Sequence, residues 1–276
     1  MGEIEFYKMS GAGNDFILVD NRAGVFAFTD PGSVARKLCR RGMSVGADGL
    51  ILIEEPGREG IDFKWRFFNA DGSDATMCGN GARCAARLSF ILGISGRSVT
   101  FLTGAGVVRG QVHPSGRVAI EMTDPRDASL GRELVVHGAP IAYDYIDTGV
   151  PHVVITVDDV NRFDMNDLGP KIRYHEMLGP DGANVNVIDL AQKGVIRIRT
   201  YERGVEAQTM ACGTGAVAAA VTAFLKGSVS PPVTLIPPSG VELIVRFRGG
   251  ETITDVTLEG DARVIYRGVL NPEALD

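Results

Sequence analysis

The feature that most restricts what this chain can fold into is a phrase written twice: "MCGNGARCAARL" from Met77 and "ACGTGAVAAAV" from Ala211. In each copy a cysteine, Cys78 or Cys212, precedes Gly-x-Gly-Ala and a run of small apolar residues with a helix's periodicity. Both helices, "GARCAARLSFIL" and "GAVAAAVTAFLKG", are Ala-rich and apolar nearly all round, a composition that suits a helix enclosed by strands rather than one lying on a surface. Around each copy the sequence breaks into short apolar runs punctuated by Gly, Pro, Asn and Asp, the signature of strands and turns. Two such frames in 276 residues predict a two-copy internal repeat: strands, a turn, a cysteine, a buried helix, more strands.

The strands expected before the boundary are "EIEFYKM", "FILVD", "GLILIEE", "DFKWRFFNA", "SVTFLT" and "RVAIEM". After it come "GRELVVH", "APIAYDYIDT", "HVVITVDD", "VIRIRTYE", "PPVTLIPP", "VELIVRFRGG", "ITDVTLEG" and "ARVIYRGVL". A further helix is expected over Pro31 to Arg41, with proline at its start and Gly42 after its end. The Pro, Asp and Gly content of "MTDPRDASLG" (Met122 to Gly131) reads as the connection between domains. The fold class is therefore mixed α/β (α+β), with two pseudo-symmetric domains each wrapping strands around a central helix.

Bulk properties exclude several functions. A net charge of -6 gives no basic footprint for nucleic acid, and "RKLCRR" reads as the exposed face of a helix. No apolar run reaches the roughly 18 residues needed to cross a bilayer. The opening "MGEIEFYKMSG" lacks the basic and apolar segments of a secretory signal, so a cytoplasmic protein is expected. Four cysteines in so long a chain are too sparse for a disulfide framework and are expected as thiols.

The chemistry then concentrates on Cys78 and Cys212. A residue at a helix N-terminus sits beside main-chain N–H groups without intrahelical partners and at the positive end of the helix dipole, an environment that favours thiolate. The glycines at 79, 81, 213 and 215 are expected to clear the approach of an anion, such as a carboxylate, to those N–H groups. Cys39 and Cys84 read as structural helix residues. Zinc is excluded by spacing, a phosphate loop by the absence of G-x-x-x-x-G-K-[ST], and serine hydrolysis by the absence of G-x-S-x-G. Nor is there a lysine signature for pyridoxal chemistry, so no metal and no cofactor is expected. Two equivalent acid/base groups suit inversion of a carbon centre: one removes a proton from one face and the other delivers a proton to the opposite face, their titrations being coupled.

The phrases "MSGAGNDF", "NADGSDATMCGNGARC", "GVPH", "NVNVI" and "YERGVEAQTMACGTGA" together resemble the diaminopimelate epimerase family over essentially the full length. That family is similar in fold to proline racemase and the phenazine-biosynthesis isomerases. The resemblance implies an isomerase that interconverts LL- and meso-2,6-diaminopimelate in lysine and peptidoglycan precursor biosynthesis, as a homodimer acting on a small-molecule substrate, with Cys78 and Cys212 as the acid/base thiols. It places Gly79 with Asn80, and Gly213 with Thr214, at the reacting carboxylate, and makes Asn14, Asn69, Asn184, Glu202 and Arg203 substrate contacts. Glu202 and Arg203 are expected at the distant ammonium and carboxylate. His152 is implied beside the site, where it tunes a cysteine. The implied domains are 1–121 plus 260–276, carrying Cys78, and 122–259, carrying Cys212, with the active site in the cleft between them and the last strand returning to the first domain.

Other readings stay open on the residues alone. Asn14 and Asn69 also suit turns, Glu202 and Arg203 a surface pair, and His152 a core or loop histidine. Val150 stands where many members have Asn, Gly49 where some have Gln, and "VEAQTMA" is one residue longer than in some relatives. A related racemase with another amino-acid substrate, or a binding or redox-sensing protein using the thiol pair as a switch, are the competing functions. Oxidation is expected to join Cys78 to Cys212.

Overall fold

The computed structural model describes every residue except 1, 2, 28, 193 and 251, and the side chains of Ala191 and Gln192 are likewise left aside. The chain opens with β1 (Ile4–Gly11), β2 (Asn14–Asp20), α1 (Pro31–Leu38), β3 (Gly49–Glu54), β4 (Phe63–Asn69) and β5 (Asp74–Ala75). There follow α2 (Gly79–Ile91), β6 (Ser98–Thr103), β7 (Gly106–Val112), β8 (Val118–Glu121), β9 (Arg126–Val136), β10 (Ala139–Asp147) and β11 (Pro151–Thr156). The remainder is α3 (Met165–Arg173), β12 (Asn184–Gln192), β13 (Val195–Glu202), β14 (Ala207–Thr209), α4 (Gly213–Leu225), β15 (Val233–Ile236), β16 (Leu243–Arg248), β17 (Thr254–Gly260) and β18 (Arg263–Leu270). Two compact units result, Met1–Ile120 with Gly260–Asp276, and Glu121–Glu259.

In the first unit β1 and β2 form a hairpin closed by Ala12 and Gly13, both at positive φ (52° and 100°), the two-residue turn that matches strand twist. "GAGND" is thus a hairpin tip. β18 pairs antiparallel with β1 on its other edge. β2 runs parallel to β3, with α1 as the crossover, and β4 runs parallel to β6, with α2 as the crossover. Parallel strands covered on both faces read as unbroken apolar runs. That is why "FILV" and "LILI" lack polar alternation: Ile17, Val19, Leu50 and Leu52 turn toward α1, with Val34, Ala35 and Leu38. Phe16, Ile51 and Trp65 lie against α2 at Gly81. α1 is started by Asp30, whose carboxylate accepts from the Gly32 and Ser33 amides, and it ends at Leu38, one turn short of the expected Arg41.

The second unit repeats the same pairing scheme. β10 and β11 are antiparallel, β11 runs parallel to β12 around α3, β12 and β13 are antiparallel, and β13 runs parallel to β15 around α4. β15, β16 and β17 continue antiparallel, as β6, β7 and β8 do. Val153, Ile155, Val185 and Val187 pack with Met165 and Ile172 of α3, leaving the opposite face of β11 and β12 to α4. Every residue of α4 from Gly215 to Ala223 is buried, which its Ala- and Val-rich sequence requires.

Four strands and a helix carry no clear signal in the sequence. β5 and β14 are only two and three residues long, β7 is interrupted by Gly and polar residues, and β12 opens on two asparagines, a residue type strands disfavour. α3 contains Gly169 and Pro170, which work against a helix locally. It forms because Met165 and Ile172 are buried, and because a side chain at 169 would meet the Tyr201 ring at 2.8 Å. Residues 122 to 131, read as a connection, are strand from Arg126 onward. Their turn-forming residues make irregularities in the β9–β10 ladder, with Asp127 and Gly131 at positive φ and the Gly131 amide donating to Asp144 Oδ1 at 2.9 Å.

Candidate active site

The two cysteines occupy the same place in matching local frames. In the first unit the chain runs β4, a turn, β5, Cys78, α2; in the second it runs β13, a turn, β14, Cys212, α4. Each cysteine is the N-cap of its helix in extended conformation (φ -149°, ψ 117° for Cys78; φ -114°, ψ 116° for Cys212), and neither side chain caps its own helix. The leading amides of α2 and α4 therefore lack the usual Ser, Asp or Asn cap, and each helix presents an anion site next to a sulfur.

The glycines of the two phrases divide their work, contrary to the expectation that all four clear a ligand path. A side chain at 79 would meet only Ile120 Cδ1 at 3.8 Å, so Gly79 leaves the helix end open. Gly81 faces the core instead: its Cβ would lie 3.0 Å from Ile51 Cδ1 and 3.6 Å from Phe16 and Trp65. Gly215 is more constrained still, because its Cβ would collide with Asn186 Oδ1. At Gly213 the added atom would meet Leu258 Cδ2 at 2.9 Å. The second glycine of each phrase is thus a packing residue, which brings the strands onto the helix.

Around Cys78 the polar groups form a chain. Asn80 Nδ2 donates to Asn14 Oδ1 at 2.6 Å, and Asn14 Nδ2 donates to Asp48 Oδ2 at 3.0 Å. Asp48 is in turn held by Arg41 at 2.7 Å, and Arg41 also pairs with Asp15, as does Lys8 at 2.6 Å. Burial pushes the Asp15 carboxyl up, but hydrogen bonds from Arg41 and Lys8 outweigh it and hold the group below the usual carboxylate range. Asn14 is therefore a fixed amide with one N–H to spare. Asn69, at the end of β4, donates to Ser73 Oγ at 3.0 Å and is exposed; its side chain braces the turn that leads to Cys78. At Gly49 a side chain would strike Phe67 Cε2 at 2.5 Å, so the Phe67 ring fills the space a longer residue would need. Cys39 and Cys84 are buried, and desolvation pushes each thiol up to about 12, as inert core residues require.

Around Cys212 the arrangement differs. The Glu202 carboxyl lies near the Cys212 thiol and the Thr209 hydroxyl, which favour its charged form; burial outweighs them and raises it above the usual range. This puts Glu202 beside the candidate acid/base sulfur. Cys212 Sγ also lies 3.5 Å from Thr214 Oγ1, and the Thr214 carbonyl accepts from Thr148 Oγ1 at 3.1 Å. Asn184 is buried and ties two loops together: its Oδ1 accepts from the Arg203 amide at 2.8 Å, and its Nδ2 donates to the Pro151 carbonyl at 3.2 Å. Val150 offers no side-chain amide, and its carbonyl accepts from the Thr148 amide at 3.1 Å.

His152 is fully buried and neutral. Burial drives its pKa down to about 3, and the positive charge of Arg203 adds to the effect. Its Nδ1 accepts from Asn186 Nδ2 at 2.9 Å, which leaves the proton on Nε2, a buried donor with no hydrogen-bond partner among the described residues. Asn186 also donates to the Val153 carbonyl at 3.0 Å and accepts from Thr200 Oγ1 at 2.9 Å.

Asn186 and Arg83 are not among the candidate residues named from the sequence. Asn186 was visible as the second polar residue of "NVNVI", where a period of two puts Asn184 and Asn186 on one face of a strand otherwise apolar. Arg83 lies inside "CGNGARC" and is buried entirely, a position no hydropathy pattern assigns to an arginine.

The family model described as diaminopimelate epimerase matches residues 6–127 and 145–269. A diaminopimelate epimerase of Aquifex aeolicus is 43% identical over 99% of this chain and 100% of its own length; that of Chlorobaculum tepidum is 40% identical over 95% and 99%. In fold, a PhzF-family phenazine biosynthesis protein of Bacillus anthracis superposes with a TM-score of 0.70 at 16% identity, covering 98% of this chain and 100% of that one. A hydroxyproline epimerase of Agrobacterium vitis gives 0.68 at 14%, covering 99% and 94%. With two frames of hairpin, N-cap cysteine and enclosed helix, and with relatives matched end to end, the chain belongs to the diaminopimelate epimerase family.

Proposed function

We propose that this protein is an isomerase that interconverts LL- and meso-2,6-diaminopimelate, with Cys78 and Cys212 exchanging protons on opposite faces of one α-carbon and without a cofactor. The observation that carries the reading is the paired N-cap placement of the two sulfurs, each next to helix amides that no side chain caps. One sulfur, as thiolate, takes the α-proton. The electron pair left on carbon delocalises into the adjacent carboxylate, whose added negative charge is stabilised by the amides of Gly79 and Asn80 and of Gly213 and Thr214. The other sulfur, as thiol, gives its proton to the opposite face, and the next turnover in reverse starts with the roles exchanged.

Glu202, lying against Cys212, is suited to the ammonium on the reacting carbon. Arg203, Asn14, Asn69 and Asn184 supply donors and acceptors for the rest of a diamino dicarboxylate. His152 acts through its neighbours as a neutral N–H donor. The product serves lysine and peptidoglycan precursor synthesis, a cytoplasmic task. A homodimer is part of the proposal, supported by Ile265, Tyr266 and Val269, which are exposed on β18 (55%, 44% and 50%) although apolar or aromatic.

The test is epimerisation of each diaminopimelate isomer in deuterated buffer. Exchange at the α-carbon with inversion is expected, at rates far above those with proline, glutamate or histidine. Cys78→Ala and Cys212→Ala should each abolish net epimerisation. Full activity in either variant would sink the two-thiol mechanism.

A further inference from the structure

Arg83 is the one arginine of α2 that is wholly shielded from water, and the carboxylate that acts on its charge, Asp261, is shared with Arg263. Its Nε donates to the Asp261 carbonyl at 3.2 Å, one terminal nitrogen donates to the Gly79 carbonyl at 3.4 Å, and the other donates to Asn80 Oδ1 at 2.7 Å. All three acceptors are neutral. A buried cation that is only partly compensated is costly, and this one also sits in the first turns of a helix, where the dipole is already positive. Desolvation lowers the pKa of Arg83, but a guanidinium stays charged in any protein environment. The site therefore calls for an anion near the start of α2.

The titratable and charged groups that act on Arg83 are Cys84, Asp261, Cys78 and Arg117. Cys84 is kept as a neutral thiol by burial. The Asp261 carboxylate offsets part of the charge, but it is shared with Arg263 at 2.7 Å and the Ala12 amide at 2.7 Å. Arg117 adds positive charge. Cys78 remains, at the N-cap of the same helix. The matching position in α4 is Val217, with no charge, and there the neighbour of Cys212 is the Glu202 carboxyl, which disfavours a second anion.

Resting on the reading of Cys78 as an acid/base, we propose that Arg83 is a positioning residue for the Cys78 half of the site: its buried guanidinium sets the Asn80 and Asn14 amides and makes the Cys78 sulfur the resting thiolate. Cys78 then begins as the base and Cys212 as the acid. The sequence repeat is symmetric in its two thiols, and Arg83 opposite Val217 is what breaks that symmetry.

The test is alkylation of the full-length chain by iodoacetamide across pH 5 to 10, with each cysteine read separately by peptide mass spectrometry. In the unaltered protein Cys78 should titrate at lower pH than Cys212. Arg83→Gln should raise the Cys78 midpoint by about one unit, a tenfold loss of thiolate near neutrality, and leave the Cys212 midpoint in place. Arg83→Lys should hold the Cys78 midpoint while raising KM more than it lowers kcat, because lysine keeps the charge but not the planar bond to Asn80. An unchanged Cys78 midpoint in folded Arg83→Gln protein would overturn the assignment. So would a Cys212 midpoint below that of Cys78 in the unaltered chain, a measurement that stands even if Arg83→Gln fails to fold. A protein that exchanges no deuterium with either diaminopimelate isomer, yet keeps a low, Arg83-dependent Cys78 midpoint, would overturn the epimerase reading and support the charge assignment.

Discussion

Gly215→Ala places a methyl group 2.3 Å from Asn186 Oδ1, so the Asn186 amide must move. Asn186 is fully buried and makes three hydrogen bonds: to the Val153 carbonyl at 3.0 Å, to His152 Nδ1 at 2.9 Å and from Thr200 Oγ1 at 2.9 Å. Moving its amide far enough to admit the methyl breaks or bends at least two of them. At ~1 kcal/mol for each bond and a further ~1–3 kcal/mol for the buried groups left without partners, the cost is ~3–5 kcal/mol. Replacing glycine by alanine within a helix returns ~1 kcal/mol. The net destabilisation is ~2–4 kcal/mol, a fall in melting temperature of several degrees for a protein of this size. Urea denaturation followed by circular dichroism measures it. A Gly215→Ala protein as stable as the parent would refute the argument that this glycine exists for close packing of α4 on β12.

Three further outcomes are expected. Gly79→Ala should leave stability within ~1 kcal/mol, since its methyl meets only Ile120 at 3.8 Å, while lowering kcat/KM by blocking the helix end; parental activity would return Gly79 to a purely structural role. His152 has a folded pKa of about 3 against an unfolded value of about 6.5, so its contribution to stability is complete above pH 6.5 and is lost as pH falls toward 3. Over that window it adds up to ~1.4 kcal/mol per pH unit to the slope of unfolding free energy, and His152→Gln should flatten the slope; an unchanged acid limb would mean that His152 is not buried and neutral. Thiol labelling of the native protein at pH 8 should spare Cys39 and Cys84, both buried with pKa values of about 12, and modify Cys78; labelling of Cys84 at the rate of Cys78 would contradict the packing of α2.

Much of the site was legible in the chain because its chemistry is local. A cysteine immediately before Gly-x-Gly-Ala and an apolar helix is an N-cap sulfur whatever surrounds it, and the repeat identified both copies. The enclosed character of α2 and α4 followed from their composition, as did the two-sided burial of "FILV" and "LILI". What stayed hidden depends on partners far away in sequence. Glu202 is expected from the sequence as a substrate contact beside Arg203, and its place against Cys212 shows only in the fold. α3 reads poorly as a helix, yet it occupies in the second unit the crossover that α1 fills in the first. Gly81 and Gly215 looked like openings for a ligand, and their neighbours show that they admit Ile51 and Asn186 instead.

The sequence by itself therefore determined the repeat, the two helix-end thiols and the class of chemistry they suit, since covalent order and helix geometry fix those within a dozen residues. Only the tertiary structure decided how the two copies differ. It buries Arg83 behind Cys78, turns Glu202 toward Cys212 and hands the His152 proton to Nε2 through Asn186. The sign and strength of the electrostatics at each sulfur depend on which charges are desolvated and what they face, and burial is a property of the packed fold rather than of any segment.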